Sequence, residues 1–397
     1  MDEEIENWNN LDRVSNYNKE LKNIKKSGYY RDRLVIQSPQ ESIIKINKKK
    51  YINFSSNNYL NLSNDKNIKQ VIVSKIKKLG IGSGSSPLIS GYSEEHHKLE
   101  KDISKLLNFE SALVMNSGYL ANVGLANAIS EKNIIIFQDK LNHNSIIEGT
   151  RLSTSKLIRY KHNSYDDLEK KLANFKKYTK IIYTDSVFSM TGEIADIPIL
   201  SNIAKKYGAL LFVDDAHGFG VLRKHENIFP SCLNFFHDKN LKIDAYIGTF
   251  GKAVGTFGSF IAGSRNLINF LVQKSKPYIY STALPAALIS ATRESLKIIM
   301  RKKMLHRTLK NNINFFERYA IENKININKS LTPIQTITYG CPKKVKKIQN
   351  KAFENDLFIQ AIRYPTVPKN RDLLRINLTS GHNLKQIEKL LNFLRYI

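Results

Sequence analysis

The sequence is poor in cysteine, in acidic residues and in long apolar runs. Its 397 residues include two cysteines, Cys232 and Cys341, which provide neither a disulfide framework nor the clustered spacing of a zinc site. No run approaches the roughly 18 apolar residues that a membrane span requires. Residues 1–6 lack the basic start and apolar core of a signal peptide. We therefore expect a cytoplasmic protein with no metal site and no membrane segment.

The shortage of acidic residues leaves a large positive charge. The chain has 62 Lys and Arg residues against 35 Asp and Glu residues, a formal net charge of +27. Such a charge raises nucleic acid as a partner. The excess, however, is spread along the chain together with Asn and Ile, whose codons, like those of Lys, are AT-rich, and no zinc finger, RNP-type motif or basic zipper is present. We expect no nucleic-acid partner, although the net field would attract an acidic acyl carrier.

The chain is long enough for one large or two moderate domains, and 42% of its residues are hydrophobic. Apolar runs of strand length alternate with helical stretches over residues 55–290, which predicts a doubly wound α/β domain with a mostly parallel sheet. Residues 1–54 are polar and predict an N-terminal arm with a helix from about residue 4 to residue 26. A long helical region then leads into a small C-terminal α+β domain, assigned to residues 291–397.

Reactive side chains follow two of the predicted strands. One apolar run ends in Asp214 and His217, and another leads into a glycine-rich turn with Thr249 and Lys252. Ligands of open α/β sheets bind beyond the carboxyl ends of the strands, so these groups could meet over one small molecule. A lysine amine can form a Schiff base with an aldehyde, and an aspartate can keep a pyridine nitrogen protonated. Pyridoxal phosphate requires both groups; a solvated lysine and a helix-capping aspartate are the alternative interpretation.

A third apolar run leads into Ser117, Gly118 and Tyr119 and then into a helix. Such a turn presents free N–H groups and the helix dipole to an anion. It therefore predicts a phosphate site, although many αβ units have similar turns without a ligand. His143 follows the next strand and is a second candidate imidazole, although a lone histidine is more often structural.

Two other nucleotide-binding motifs do not fit. A Walker A loop would place a glycine where Tyr246 stands and a hydroxyl residue where Ala253 stands. The small-residue loop containing Gly80, Gly82 and Gly84 lacks the preceding strand of a Rossmann dinucleotide site. A non-enzymatic binding module would not need a lysine, an aspartate, two histidines and hydroxyls at strand ends.

Four stretches together carry a resemblance to a known family. They are Ser186-Val187-Phe188-Ser189-Met190, Val213-Asp214-Asp215-Ala216-His217-Gly218, Gly248-Thr249-Phe250-Gly251-Lys252-Ala253 and Tyr280-Ser281-Thr282-Ala283-Leu284-Pro285. From about residue 30 onward the chain resembles the α-oxoamine synthases. These are homodimeric fold-type I pyridoxal-phosphate transferases with a large domain, a small C-terminal domain and an N-terminal arm.

The resemblance implies a pyridoxal 5'-phosphate site. By motif position it assigns the Schiff base and the later general base to Lys252, the pyridine nitrogen to Asp214 and ring stacking to His143. The phenolic oxygen would be held by His217 and Ser189. The phosphate would be held by hydroxyl and small residues, the last two from the partner subunit: Ser117, Gly118, Tyr119, Thr249, Ser281 and Thr282.

The resemblance also implies a substrate site. Arg375 matches the arginine that takes the amino-acid carboxylate, and Arg363 and Arg31 suit a dicarboxylic acyl tail. Asn57 and Thr366 are also assigned to substrate binding. The expected reaction joins L-alanine to a pimeloyl thioester of coenzyme A or acyl carrier protein and gives 8-amino-7-oxononanoate, CO2 and free thiol, a step of biotin biosynthesis. Glycine C-acetyltransferase chemistry, or another amino acid and acyl donor of the family, is the alternative.

Three departures from the family pattern concern loop geometry and acyl choice. Asn61 stands where a glycine is usual, and Tyr364 stands where the expected branch usually has a proline. The glycine-rich loop also reads Gly82-Ser83-Gly84-Ser85-Ser86 and is followed by Pro87.

Overall fold

The computed structural model describes residues 10–397, with side chains from residue 16 onward. Its α-helices are α1 Asn10–Lys26, α2 Lys66–Leu79, α3 Glu94–Leu107, α4 Gly118–Ala128, α5 Asn144–Arg151, α6 Tyr165–Ala173, α7 Ile197–Tyr207, α8 Cys232–Phe236, α9 Arg265–Lys274, α10 Lys276–Ile279, α11 Ala286–Arg301, α12 Lys303–Glu322, α13 Pro342–Glu354 and α14 Leu384–Arg395. Its β-strands are β1 Ile43–Ile46, β2 Lys49–Asn53, β3 Ser111–Met115, β4 Ile134–Asp139, β5 Lys156–Tyr160, β6 Thr179–Asp185, β7 Ala209–Asp214, β8 Ala245–Thr249, β9 Ser259–Gly263, β10 Ile334–Thr338, β11 Leu357–Phe358, β12 Gln360–Ile362 and β13 Leu373–Asn377.

A seven-stranded sheet forms the centre of the fold, in the order β3-β9-β8-β7-β6-β4-β5. Neighbours from β8 to β5 are parallel, whereas β9 is antiparallel to β8 and to β3. β4, β8 and β9 are buried along their whole length. A strand covered on both faces reads as a continuous apolar run, which is the pattern seen in the sequence. The predicted mostly parallel α/β sheet is confirmed.

The sheet order brings together strand ends that are far apart in the sequence. Asp185 at the end of β6 is the register partner of Asp214 at the end of β7. Asp214 in turn pairs with Ile247 of β8, two residues before Thr249. The carboxyl ends of β4, β6, β7 and β8 therefore form one edge, where ligands of open α/β sheets bind.

The C-terminal part is built around the antiparallel sheet β10-β13-β12, with β13 at its centre. Arg375 lies in the middle of β13, opposite Thr336 of β10 and Gln360 of β12. The last helix, α14, buries the apolar stripe that its sequence shows at helical spacing: Ile387, Leu390, Leu391 and Leu394. α13 contacts β13, so Arg375 stands on a central strand that is covered by a helix.

A third sheet links the N-terminal hairpin to the C-terminal part. β1 and β2 are antiparallel, and β11 pairs with β2 in parallel. Residues 43–53, which the sequence placed in the arm, are therefore joined by backbone hydrogen bonds to residues 357–358. The domain boundaries at residues 54 and 290 stay a prediction.

The arm lies against the loop that follows β12. α1 agrees with the predicted helix as far as it is described, and residues 1–9, including the segment considered as a signal peptide, lie outside the described residues. The guanidinium of Arg363 donates to the carbonyls of Gly28 and Tyr30, and the rings of Tyr29 and Tyr364 are 5.8 Å apart. Within the described chain, no helix combines the length and apolar character needed to cross a bilayer.

Asn61 adopts the backbone conformation of the glycine that it replaces. Its φ is +54°, a left-handed conformation that Asn tolerates better than most other residues with a side chain. The turn therefore keeps a glycine-like geometry despite the substitution.

Candidate active site

Lys252 lies in a tight turn after β8. The hydroxyl of Thr249 donates to the carbonyl of Gly258 at 3.0 Å, and the N–H of Gly255 donates to the carbonyl of Lys252 at 3.0 Å. Gly255 has φ +72°, and a Cβ there would lie 2.6 Å from the backbone nitrogen of Ser63, so the turn rests directly on the chain near residue 63. These contacts hold the lysine against the carboxyl edge of the sheet.

The electrostatic environment makes Lys252 a weaker base than a free lysine. Burial lowers its pKa, the negative charge of Asp214 opposes this shift and the positive charge of Arg375 adds to it; together they bring the pKa to about 8. A substantial fraction of the amine is therefore neutral near physiological pH, as a nucleophile or a general base requires.

Asp214 is buried at the end of β7, and both of its oxygens are hydrogen bonded. Oδ1 accepts from the N–H of Ala216 at 2.9 Å, and Oδ2 accepts from the side-chain amide of Asn122 at 2.6 Å. The two N–H donors hold the carboxylate in one orientation. Asp214 therefore presents a fixed negative charge to the site.

The adjacent Asp215 points into the core instead. Its carboxylate accepts from the hydroxyls of Ser186 and Tyr246 and from the N–H of Cys232 at 2.9 Å. Burial raises its pKa and these hydrogen bonds lower it, which leaves the pKa at about 6. Asp215 thus ties the ends of β6, β7 and β8 together, and only Asp214 of the pair faces the site.

His217 is buried and held by Tyr59, whose hydroxyl lies 2.8 Å from Nδ1. Burial lowers the pKa of the imidazole well below its usual value, and the charges of Lys252 and Arg375 act in the same direction. The ring is therefore neutral at physiological pH, and Nε2 is the atom left for a ligand.

His143 occupies the N-cap of α5. Its backbone N–H donates to Asp185 at 2.6 Å, and its Nδ1 accepts from the N–H of Ser145 at 3.3 Å. The residue is exposed to solvent, but the surrounding protein partly desolvates the imidazole, and this lowers its pKa. The carboxylate of Asp214 opposes the shift and the amine of Lys252 adds to it, so His143 belongs to the same electrostatic group.

Arg375 reaches from β13 to two segments of the large sheet's edge. Its Nε donates to the carbonyl of Ser189 at 2.7 Å, and both terminal nitrogens donate to Oδ1 of Asn57 at 3.2 Å. Asn377 donates to the same Asn57 oxygen at 3.1 Å. The amide oxygen of Asn57 thus occupies the guanidinium fork in the manner of a carboxylate oxygen.

The predicted phosphate turn has the expected form. Ser117 is the N-cap of α4 and accepts from the N–H of Leu120 at 3.2 Å, and a Cβ on Gly118 would meet nothing within 4 Å. Tyr119 is 46% exposed beside this open space. Asn116 donates to the carbonyl of Thr282 at 2.9 Å, so the 281–282 segment lies near the turn of its own chain. Its contribution to a partner subunit stays a prediction.

The predicted acyl-tail residues form a separate group at the arm. Arg31 lies 3.4 Å from the hydroxyl of Thr366, and Arg363 is held by the arm carbonyls described above. Burial lowers the pKa of Arg363, and the nearby charge of Arg31 lowers it further. The structure therefore brings Arg31, Arg363 and Thr366 together, but it binds part of the Arg363 fork to protein.

Three polar residues of the site escaped the sequence reasoning: Asn122, Asp185 and Tyr59. Asp185 was detectable because it ends an apolar run just as Asp214 does; burial and the charge of Asp214 raise its pKa well above the usual range. Asn122 lies within a helix and Tyr59 in a polar turn, and neither position has a local signal for a role in the site.

Comparisons with known proteins agree with this geometry. Residues 49–394 match the family model of the aminotransferases of class I and II. An 8-amino-7-oxononanoate synthase from Thermoanaerobacter pseudethanolicus is 38% identical over 93% of this chain and 93% of its own length. The crystal structure of an 8-amino-7-oxononanoate synthase from Francisella tularensis is 30% identical, with a TM-score of 0.76 over 87% of this chain and 97% of that one.

A serine palmitoyltransferase from S. paucimobilis, solved with a bound PLP–myriocin aldimine, has a TM-score of 0.89 over 97% of both chains at 23% identity, which shows the shared fold. The predicted family and fold, and the prediction of an enzyme, are confirmed. The chain belongs to the aminotransferase class I and II family.

Proposed function

We propose that this chain is a pyridoxal-phosphate-dependent acyltransferase that condenses L-alanine with a pimeloyl thioester to give 8-amino-7-oxononanoate. One observation carries the proposal: an amine with a pKa of about 8, Lys252, stands within the fields of Asp214 and Arg375 at one sheet edge. Relatives named 8-amino-7-oxononanoate synthase, 35% to 39% identical over nearly the whole chain, support the choice of reaction.

The residues present fit pyridoxal phosphate. The open space at Gly118 and the N-terminus of α4 suit a phosphate, Asp214 offers a buried carboxylate to a ring nitrogen, and Lys252 offers an amine to an aldehyde. His143, His217 and Ser189 would line the ring. Thr249 and Tyr119 would surround the phosphate, together with Ser281 and Thr282 contributed across the dimer. When bound, the coenzyme supplies an aldehyde for the amino group and an electron sink for the α-carbon.

The protein's own groups then orient the amino acid and move its proton. Arg375 would exchange its contact with Asn57 for the carboxylate of alanine, because a planar guanidinium binds two carboxylate oxygens at once. The α-hydrogen would thereby be directed toward Lys252. With its pKa lowered toward neutrality, the Lys252 amine can accept that proton and return it at the end of the reaction.

The choice of acyl donor rests on the basic residues at the N-terminal arm. Arg31 and Thr366, with the remaining donors of Arg363, would receive the terminal carboxylate of the pimeloyl chain. These residues lie beyond the end of β12, and β12 pairs with β13, the strand that carries Arg375. Their separation from Arg375 suits an acyl donor longer than an acetyl group. We also propose a homodimer in the cytoplasm, with coenzyme A or acyl carrier protein as the thiol. Glycine C-acetyltransferase activity is the competing assignment.

A substrate comparison tests the proposal. The protein is saturated with pyridoxal phosphate and given alanine, glycine or serine with pimeloyl or acetyl thioesters of coenzyme A, or pimeloyl-acyl carrier protein, and products are identified by mass spectrometry. We expect 8-amino-7-oxononanoate from alanine and pimeloyl thioester only. A preference for glycine with acetyl thioester would transfer the assignment to the competing activity. Lys252→Ala serves as the control, and activity equal to wild type would refute the role of that amine.

A further inference from the structure

Asn122 is a buried polar residue behind the candidate site, and both the nitrogen and the oxygen of its side-chain amide are hydrogen bonded. It is 1% exposed in α4. Its Nδ2 donates to Asp214 Oδ2 at 2.6 Å and to Ser145 Oγ at 2.7 Å, and its Oδ1 accepts from the hydroxyl of Tyr183 at 2.6 Å. One amide therefore contacts the acid of the site directly and reaches the imidazole of His143 through one serine.

Asp214 and Tyr183 determine which way the amide points. The tyrosine is fully buried, and burial raises its pKa well above the usual value, so its hydroxyl keeps its proton and donates. The carboxylate of Asp214 accepts from the NH2 group of Asn122, so the amide oxygen faces the Tyr183 hydroxyl, which donates to it. The reversed amide would place an oxygen against the carboxylate and leave two buried donors opposed, a cost that a buried site does not tolerate.

Ser145 carries the contact onward to His143. Its backbone N–H, which can only donate, lies 3.3 Å from Nδ1, and its Oγ lies 2.7 Å from the same nitrogen. Nδ1 is therefore an acceptor, and the neutral imidazole holds its proton on Nε2. The serine hydroxyl donates to Nδ1 while accepting from Asn122, so donors run in one direction from Tyr183 through Asn122 and Ser145 to His143.

The packing of α4 against α5 sets the distance between Asn122 and Ser145 in this chain of hydrogen bonds. A Cβ on Gly149 would lie 3.0 Å from the carbonyl oxygen of Asn122 and 3.0 Å from the Cα of Val123. The missing side chain lets the two helices approach closely. Ser145 lies four residues before Gly149, on the same face of α5, and so it is delivered to the Asn122 amide.

We propose that Asn122 is a positioning residue, which fixes Asp214 and His143 as one unit so that the carboxylate and the imidazole meet the edge and the face of the same ring. This rests on the proposed function, since that ring belongs to pyridoxal phosphate. The residue acts through its neighbours and makes no contact with substrate.

Two substitutions at Asn122 separate this role from simple packing. Asn122→Ala removes all three hydrogen bonds and should weaken pyridoxal-phosphate affinity and lower kcat by about 10- to 100-fold each, with little change in KM for alanine because Arg375 is untouched. Asn122→Asp keeps the shape but sets a carboxylate against Asp214. Its affinity for the coenzyme should approach wild type at low pH, where the two acids share a proton, and fall as the pH rises.

Asn127 provides the matched control. It lies in the same helix, and its amide donates only to backbone carbonyls, those of Val123 at 2.9 Å and Gly149 at 3.2 Å. Asn127→Ala and Asn127→Asp should leave coenzyme affinity within about twofold of wild type and show no such pH dependence, since neither touches Asp214.

The measurements are coenzyme affinity by titration of the coenzyme-free protein at several pH values and thermal unfolding of the same protein without coenzyme. In the coenzyme-free state, Asn122→Asp should also become less stable as the pH rises. If Asn122→Ala does not fold, Tyr183→Phe replaces it. This variant removes only the hydroxyl that donates to Asn122, and we expect a milder loss of coenzyme affinity. Coenzyme affinities equal to wild type in the Asn122 variants, with wild type binding normally, would overturn the proposal. Failure of wild type itself to bind the coenzyme would instead refute the proposed function, and this role with it.

Discussion

His162 offers a sharp test of how the loop carrying Ser189 is held. Its Nδ1 lies 2.8 Å from Asp139 at the end of β4, and its Nε2 lies 3.0 Å from Glu193. The backbone carbonyl of Glu193 accepts from the N–H of Phe188, and the His162 and Phe188 rings are nearly perpendicular, with their centroids 4.5 Å apart. The histidine therefore clamps the 188–193 loop, whose Ser189 carbonyl receives Arg375, to the neighbouring strand.

Protonation of His162 stabilises the folded protein. Burial lowers the pKa of His162, but the bonds to Asp139 and Glu193 outweigh this and raise it from 6.5 to about 9. At about 1.4 kcal/mol per pKa unit, the gain is at most about 3–4 kcal/mol. Glu193 is 43% exposed, so solvent screening reduces its share and we expect about 1–3 kcal/mol. Because the folded protein binds the proton more tightly than the unfolded chain, this stability is complete below about pH 6.5 and is lost as the pH rises through about 9.

The assay compares His162→Gln with wild type. Urea unfolding of the protein should show the variant less stable at low pH by about 1–3 kcal/mol, with the difference shrinking toward zero above pH 9. His97→Gln is the control, since this exposed histidine of α3 has no carboxylate within ion-pair distance among the described residues. A His162 imidazole that titrates by NMR at or below pH 6.5, or a stability difference that is independent of pH, would refute the reasoning.

Three further predictions concern the site and its surroundings. Labelling of Lys252 by an amine-reactive reagent, followed by mass spectrometry of the coenzyme-free protein, should rise through a pH of about 8 as the neutral amine forms; a midpoint near that of free lysine would contradict the role of burial. Arg375→Lys should raise KM for alanine by about 10- to 100-fold with a smaller effect on kcat, because a lysine cannot span two carboxylate oxygens; steady-state kinetics with an unchanged KM would exclude the carboxylate assignment. Activity on an acyl-carrier-linked donor should fall as salt is raised, because the chain carries a net charge of +27, whereas the same rate at low and high salt would remove charge attraction from the account.

The sequence predicted the parts of this molecule that are encoded locally. Each buried strand of the large sheet appears as an apolar run, and the residues that follow two of these runs, Asp214 and Lys252, do lie at the same edge. Strand pairing is a long-range property, yet the rule that parallel strands share a carboxyl edge was enough to bring them together. The motifs of a known family then supplied the roles that geometry alone leaves open.

The contacts behind the site could not be predicted because they depend on side chains from unrelated segments. Nothing near Asn122 in the sequence indicates Asp214, 92 positions away. In the same way, the acyl-tail assignment treated Arg363 as a free guanidinium, whereas the folded chain uses two of its donors to hold the arm at Gly28 and Tyr30. Such competition for donors becomes visible only when the surrounding backbone is in place.

The short segment from residue 57 to residue 63 touches three parts of the site at once. Asn57 accepts from Arg375, and the hydroxyl of Tyr59 is hydrogen bonded to His217. The backbone at Ser63 packs against Gly255 in the turn that holds Lys252. An insertion or deletion of one residue here would displace all three contacts together, and no local rearrangement of the backbone could restore them. Across proteins that share this architecture, the length of this stretch should therefore be invariant even where its composition drifts, and a directed-evolution library that varies its length should yield almost no active members.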